Sequence, residues 1–205
     1  MQPNELPDEG GQWSRAGLLR AALAGGAAVA GGAAIGARRG NGASYAARSK
    51  DTDAEILGLF LLIERLQEDF YRGAVDAGRL DGDLRAFAET VLKQEEAHGA
   101  FLARRLGERA GARPKSDFGD ALRSRETFRS TAIDLEETAI AAYVGQGANL
   151  TAGIVATVAT LVSVEARQAA WIRDLAGQNP APNAADPARK PAQVLSELRD
   201  KGYLR

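Results

Sequence analysis

The chain contains no cysteine and a single histidine, His98, and both shortages limit its chemistry. Without cysteine there are no disulfides, no thiolate metal ligands and no cysteine nucleophile. Any mechanism that needs two histidines is excluded as well. An excess of one charge is also absent, because 26 basic and 27 acidic residues leave a formal net charge of -1. The basic residues are scattered rather than clustered, so we expect no nucleic-acid partner.

Long hydrophobic runs are scarce, and the one uncharged stretch near the N-terminus, residues 21–37, is mostly Ala and Gly. Arginines flank it on both sides, which is typical of an export signal. It is too weakly hydrophobic for a confident membrane span of about 20 apolar residues. Residues 14–20 (SRAGLLR) resemble the twin-arginine export pattern, with Ala16 in place of the second arginine. We predict that residues 1–46 are an export signal.

This prediction places the protein in the periplasm or cell envelope, with membrane contact only through its N-terminal segment. Two alternatives stay open for that segment. It could be a disordered Ala/Gly-rich tail, or an uncleaved tether that holds an interaction module at the membrane.

Beyond this segment a heptad-like rhythm of apolar residues recurs in four blocks, separated by Gly, Pro, Asn or Asp. The rhythm predicts an all-α antiparallel four-helix bundle over residues 47–180, with Asp83 as the N-cap of the second helix. A Pro-rich linker and a short amphipathic C-terminal helix occupy residues 181–205. The four predicted helices cover about residues 52–77, 83–109, 126–146 and 151–176.

Each predicted helix carries a glutamate in the middle of the apolar face that it must bury. Residues spaced by three and four share one helix face, and no lysine or arginine falls on these faces. Unpaired buried carboxylates cost several kcal/mol each and repel one another. Two divalent cations would balance four carboxylates, and carboxylate oxygens suit iron or manganese. The predicted metal ligands are Glu64, Glu95, His98, Glu136, Glu165 and Gln168.

One step round the helix, Glu68 and Glu137 are the alternatives to Glu64 and Glu136. For His98, a hydrogen-bonded core histidine is the alternative to a metal ligand.

Four segments resemble the ferritin-like superfamily, in particular exported bacterial ferritin-like domain proteins related to plant desiccation-related proteins. The first, residues 63–71 (IERLQEDFY), is similar to the family's Leu-Glu-x-Leu-Glu-x-x-Phe-Tyr, and residues 94–102 (QEEAHGAFL) contain its Glu-x-x-His. The other two, residues 135–145 (LEETAIAAYVG) and 164–171 (VEARQAAW), are similar to its Leu-Glu-Asp-x-Gly-Val-x-Ala-Tyr-x-Gly and Val-Glu-Ala-Arg-His. The resemblance implies a ferritin-like bundle that binds iron or manganese and oxidises ferrous iron with oxygen or peroxide.

The chain departs from the family pattern at two positions. Gln168 stands where the family has a second histidine, and Gln67 where the first helix has a second glutamate. Because a carboxamide is a weaker ligand than imidazole, we expect one or two bound ions, with the second position weak or empty. Tyr71 and Tyr143 are expected to pack in the core and to hydrogen-bond ligand carboxylates.

Gln168 also favours an alternative function, a metal-poor, non-catalytic structural protein of the envelope or of stress responses. The sequence leaves open the identity of the metal, and whether the chain forms a homo-oligomer.

Overall fold

In a computed structural model, residues 48–205 are described, and they confirm the predicted all-α bundle with a short C-terminal helix. The predicted export signal, residues 1–46, lies outside the described residues. No helix among residues 48–205 combines the length and the apolarity that a bilayer crossing requires. The described residues form five α-helices, α1 (Lys50–Ala77), α2 (Gly82–Leu106), α3 (Arg125–Gly147), α4 (Ala152–Leu175) and α5 (Pro191–Asp200).

The helix ends follow ordinary capping chemistry. The backbone N–H of Thr52 donates to the Ser49 side chain at 3.0 Å, and Ser124 forms a capping box at the start of α3. The predicted N-cap of α2, Asp83, is wrong, because the helix starts one residue earlier and Asp81 occupies that position. Asp81 makes no side-chain cap bond, since its carboxylate pairs with Arg125 instead.

The connections between helices set the pairing within the bundle. Short turns join α1 to α2 and α3 to α4, so each of these pairs is antiparallel. The longer connection from α2 to α3 contains two 3-10 turns, Gly107–Ala110 and Gly119–Leu122. Arg65 of α1 donates to the carbonyl oxygens of residues 110–112 at 3.1–3.3 Å, which fixes the start of this connection.

The core is divided into two apolar ends by a polar layer in the middle. At one end Phe70 stacks on Phe128, with ring centroids 5.3 Å apart, and at the other Phe60 stacks on Tyr143 at 4.0 Å. Because apolar packing closes both ends, polar side chains in the middle layer are removed from water.

Helix α5 covers the outside of the bundle by burying Val194 and Leu198. The chain leading to it approaches α3 closely, where the Arg189 N–H donates to the Ala141 carbonyl at 2.9 Å. This approach requires glycine at position 145, because a Cβ there would lie 2.1 Å from the Arg189 carbonyl oxygen.

Candidate metal centre

The polar layer is formed by the four glutamates that the sequence places on buried faces. One comes from each of α1 to α4, and each has an exposed fraction of 0%. Glu68 and Glu137, the alternatives one step round their helices, are only partly buried. The three-and-four spacing therefore identified the correct face of every helix. The four buried glutamates are Glu64, Glu95, Glu136 and Glu165.

Four side chains from three helices come together in what we call the carboxylate–histidine cluster: Glu64, Glu95, His98 and Glu165. Each offers one ligand atom, and these atoms all lie within 4.8 Å of one another. The His98 Nδ1 atom is 3.0 Å from Glu165 Oε1, 3.1 Å from Glu64 Oε2 and 3.6 Å from Glu95 Oε2. This spacing is suited to a metal ion held by three carboxylates and one imidazole.

The other two predicted ligands lie in the same polar layer, beside the cluster. Glu136 accepts hydrogen bonds from the Tyr71 hydroxyl and, at 3.1 Å, from Gln67 Nε2. Gln168 Nε2 donates to Glu95 Oε1 at 2.7 Å. Both side chains therefore contact protein donors or acceptors, and direct metal ligation by Glu136 and Gln168 stays a prediction.

The two buried tyrosines bond to carboxylates, as the sequence predicts. Tyr143 on α3 donates to Glu64 Oε1 on α1, while Tyr71 on α1 donates to Glu136 on α3. Both rings also pack in the apolar ends of the core. Each tyrosine thus fixes the orientation of one carboxylate, which a metal ligand needs.

Gln67 takes a larger part in the layer than the sequence suggested. Its Nε2 group donates to Glu136 Oε2 at 3.1 Å and to Glu165 Oε2 at 3.2 Å, so it bridges two carboxylates from different helices. Its position three residues after Glu64 was the available signal, because that spacing places both side chains on one face. Which carboxylates it reaches depends on how the helices pair.

Burial disfavours the ionised form of Glu64, but bonds from His98 and other neighbours outweigh it and lower the pKa of this carboxyl. Burial also opposes a charge on His98, yet the carboxylates of Glu165 and Glu64 raise its pKa to about 12. In the metal-free protein these two residues form an ion pair. Metal binding at His98 therefore requires that its ring lose a proton.

The remaining carboxyls are shifted in the opposite direction. Burial, followed by the charges of Glu165 and Glu64, raises the pKa of Glu95 well above its ordinary value. Burial and the charge of Glu165 do the same to Glu136. Burial and the charge of Glu64 raise the pKa of Glu165 to about 7. The metal-free layer therefore retains protons, which a cation would displace.

Four buried oxygens in this layer have no hydrogen-bond partner, and they test whether the residues fit a metal ion. An unsatisfied buried acceptor costs about 1–3 kcal/mol, so several together are unfavourable without a cation. Two of them belong to cluster carboxylates that face His98. The carboxylate oxygens of the cluster with one imidazole nitrogen, in a chain without cysteine, fit iron or manganese. The four atoms are Gln67 Oε1, Glu95 Oε2, Glu165 Oε1 and Gln168 Oε1.

Comparison with known proteins agrees with this arrangement. A family model described as a ferritin-like domain matches residues 52–178, which cover the four helices of the bundle from Thr52 of α1 onward and every predicted ligand. A comparison with curated proteins gave no significant match. The matched region covers more than half of the chain and consists of the helical bundle. The protein therefore belongs to the ferritin-like domain family.

Proposed function

We propose that the protein binds divalent iron or manganese at the carboxylate–histidine cluster, and that ferrous iron bound there is oxidised by oxygen or peroxide. The observation that supports the proposal is the convergence of four potential ligand atoms within 4.8 Å, with unpartnered oxygens of Glu95 and Glu165 turned toward His98. Exposed acidic groups often gather without a metal. The three carboxylates of the cluster, in contrast, are fully buried, and their mutual repulsion needs compensation.

The residues around the cluster have separate tasks in this proposal. Tyr143 holds Glu64 through one carboxylate oxygen and leaves the other directed at His98. Gln67 holds Glu165 in the same way, through Oε2, and leaves Oε1 directed at His98. The apolar ends of the bundle exclude water from the layer. Bound iron would supply the one-electron chemistry that carboxylate and imidazole side chains lack.

A metal-poor structural bundle is the second candidate, and a specific observation favours it. Protein donors, mainly the two tyrosines and the two glutamines, already bond to all but two of the oxygens of the four buried glutamates. The His98–Glu64 pair also compensates one charge without a metal. In this candidate the polar layer specifies how the helices pair and performs no chemistry.

Metal content separates the two candidates. The purified chain is loaded anaerobically with Fe²⁺ or Mn²⁺, desalted and analysed for bound metal per chain. We expect about one to two ions in the wild type and a large loss in Glu95→Ala and His98→Ala, which remove cluster ligands. Glu137→Gln is the matched control, because Glu137 is a partly buried glutamate that pairs with Arg173 outside the layer.

The absence of bound metal in the folded wild type would exclude the metal-binding proposal and favour the structural candidate. If metal is bound, consumption of oxygen or peroxide by the Fe²⁺-loaded protein is measured next. Metal binding without consumption would leave a binding protein and exclude the oxidation step.

We also propose that the protein is exported, since the arginine-flanked segment at residues 21–37 is typical of a signal. Mass spectrometry of the chain recovered outside the cytoplasm tests this proposal. Cleavage near residue 46 is expected, whereas an intact N-terminus would favour the membrane tether.

A further inference from the structure

The polar layer has an approximate internal repeat that relates α1 to α3. Glu64 is followed seven residues later by Tyr71, and Glu136 is followed seven residues later by Tyr143. Each tyrosine bonds to the glutamate of the other helix. The two helices are therefore antiparallel, and their glutamate–tyrosine pairs are exchanged by an approximate twofold axis.

The same relation holds between α2 and α4. His98 lies three residues after Glu95, and Gln168 lies three residues after Glu165. His98 contacts Glu165 across the layer at 3.0 Å, and Gln168 contacts Glu95 at 2.7 Å. The layer thus consists of two halves built from equivalent positions on all four helices.

Two pairs of equivalent positions differ in residue type and so break this symmetry. Both differences place a glutamine amide in the half opposite His98. Where one half has the imidazole of His98, the other has the amide of Gln168. Gln67, three residues after Glu64, corresponds to Ala139, three residues after Glu136. Ala139 is fully buried and too short to enter the layer, whereas Gln67 reaches Glu136 and Glu165.

The shared carboxylates show this difference in their individual oxygens. On the His98 side, Glu95 Oε2 and Glu165 Oε1 accept from no amide or hydroxyl group and face His98 Nδ1 at 3.6 and 3.0 Å. On the opposite side, Glu95 Oε1 accepts from Gln168, and Glu165 Oε2 accepts from Gln67 at 3.2 Å. An amide NH₂ group donates hydrogen bonds and does not ligate metals. In the second half the Nε2 groups of Gln67 and Gln168 therefore occupy the carboxylate oxygens that a cation would need as ligands.

We propose that the layer binds a single divalent cation, in the half that contains Glu64, Glu95, His98 and Glu165, and that the amides of Gln67 and Gln168 replace a second cation. This inference rests on the proposed metal binding and concerns its stoichiometry. Gln67 excludes the second ion by occupying space and by donating to Glu136 and Glu165. Gln168 contributes because it lacks the imidazole nitrogen that His98 supplies.

The test compares Mn²⁺ binding by the full chain and by the double variant Gln67→Ala/Gln168→His, which gives the second half the same residue types as the first. Bound Mn²⁺ per chain is counted by elemental analysis after desalting. Electron paramagnetic resonance reports whether the bound ion is isolated or magnetically coupled to a neighbour. We expect about one isolated Mn²⁺ in the wild type and about two coupled ions in the double variant.

Gln146→Ala is the matched control, because Gln146 is a buried glutamine on α3 that bonds to Asn149 outside the layer. It should keep about one isolated ion. If the double variant does not fold, as judged by circular dichroism, Gln67→Ala alone is measured. That change only removes atoms, and it should allow a second, weaker Mn²⁺ to bind at high metal concentration.

The outcomes separate this inference from the function on which it rests. Two coupled Mn²⁺ ions in the wild type would overturn the inference while supporting metal binding. A folded double variant, or Gln67→Ala alone, that still takes only one ion would also overturn it, because the amides would then not be what excludes the second. No ion in the wild type would refute the proposed metal binding itself.

Discussion

Replacing Tyr143 with phenylalanine tests how the protein holds Glu64. The substitution keeps the ring that stacks on Phe60 and deletes only the hydroxyl that donates to Glu64 Oε1. Because Glu64 has a lowered pKa despite its burial, this hydrogen bond is made to an ionised carboxylate. Such a bond contributes about 1.5–3 kcal/mol. For a domain of this size the loss corresponds to a decrease in Tm of roughly 3–12 °C.

Tyr71→Phe is the matched comparison, since Tyr71 makes the equivalent bond to Glu136. Burial and the charge of Glu165 raise the pKa of Glu136, which favours the neutral form of this carboxyl in the metal-free protein. A neutral hydrogen bond contributes about 0.5–1.5 kcal/mol, and the decrease in Tm is smaller. The two variants should therefore differ in stability although they lose the same group.

Metal affinity distinguishes the two variants more sharply. Tyr143 orients a residue of the carboxylate–histidine cluster, and loss of such an orienting bond weakens metal binding by roughly 10–100-fold. Tyr71 orients Glu136, which lies outside the cluster, so its loss should change the affinity by less than about threefold. Thermal unfolding of the metal-free proteins and calorimetric titration with Mn²⁺ give both quantities. Equal loss of affinity in the two variants would refute the reasoning, because Glu136 would then serve as a ligand.

Three further predictions concern the packing of the bundle and the ionisation of the polar layer. Gly145→Ala should lower Tm and expose the chain near Arg189 to proteases, because the added Cβ would lie 2.1 Å from the Arg189 carbonyl oxygen. Gly147→Ala is the control: a Cβ at that position has no atom within 4 Å, so this variant should be neutral or slightly stabilising. In the metal-free protein, the free energy of unfolding should fall as pH rises from about 5 to 7.5. The pKa of Glu165 is raised from 4.5 to about 7, so its contribution to the free energy of unfolding is complete below pH 4.5 and is lost as the pH passes 7. The lowered pKa of Glu64 changes the free energy of unfolding only below pH 4.5. Urea unfolding across this range checks the slope, and a flat profile would contradict the assignment. Glu165→Gln should remove only the share of the slope that Glu165 contributes, because the raised pKa values of Glu95, Glu136 and His98 act in the same direction. The variant should also abolish metal binding and stabilise the metal-free protein at pH 8 by up to about 3 kcal/mol; a less stable variant would show that ionised Glu165 does not destabilise the fold.

Much of the site could be predicted from the sequence because helical periodicity assigns each residue to a face. Glu64, Glu95 and Glu165 lie where apolar residues are required, and no basic residue on those faces could compensate them. The prediction of buried acidic residues near a histidine followed from this pattern alone. The start of α2 was predicted less well, because the Asp81 side chain pairs with Arg125 instead of capping the helix.

The sequence by itself determined the number of helices, their buried faces and the types of side chain in the polar layer. Only the tertiary structure decided which oxygens of Glu95 and Glu165 face His98 and which accept from an amide. The physical reason is that periodicity gives the face of a helix, whereas the partner across the core depends on how the helices pair. Gln67 reaches Glu136 and Glu165 because the pairing brings α3 and α4 opposite α1, and no local pattern contains that information.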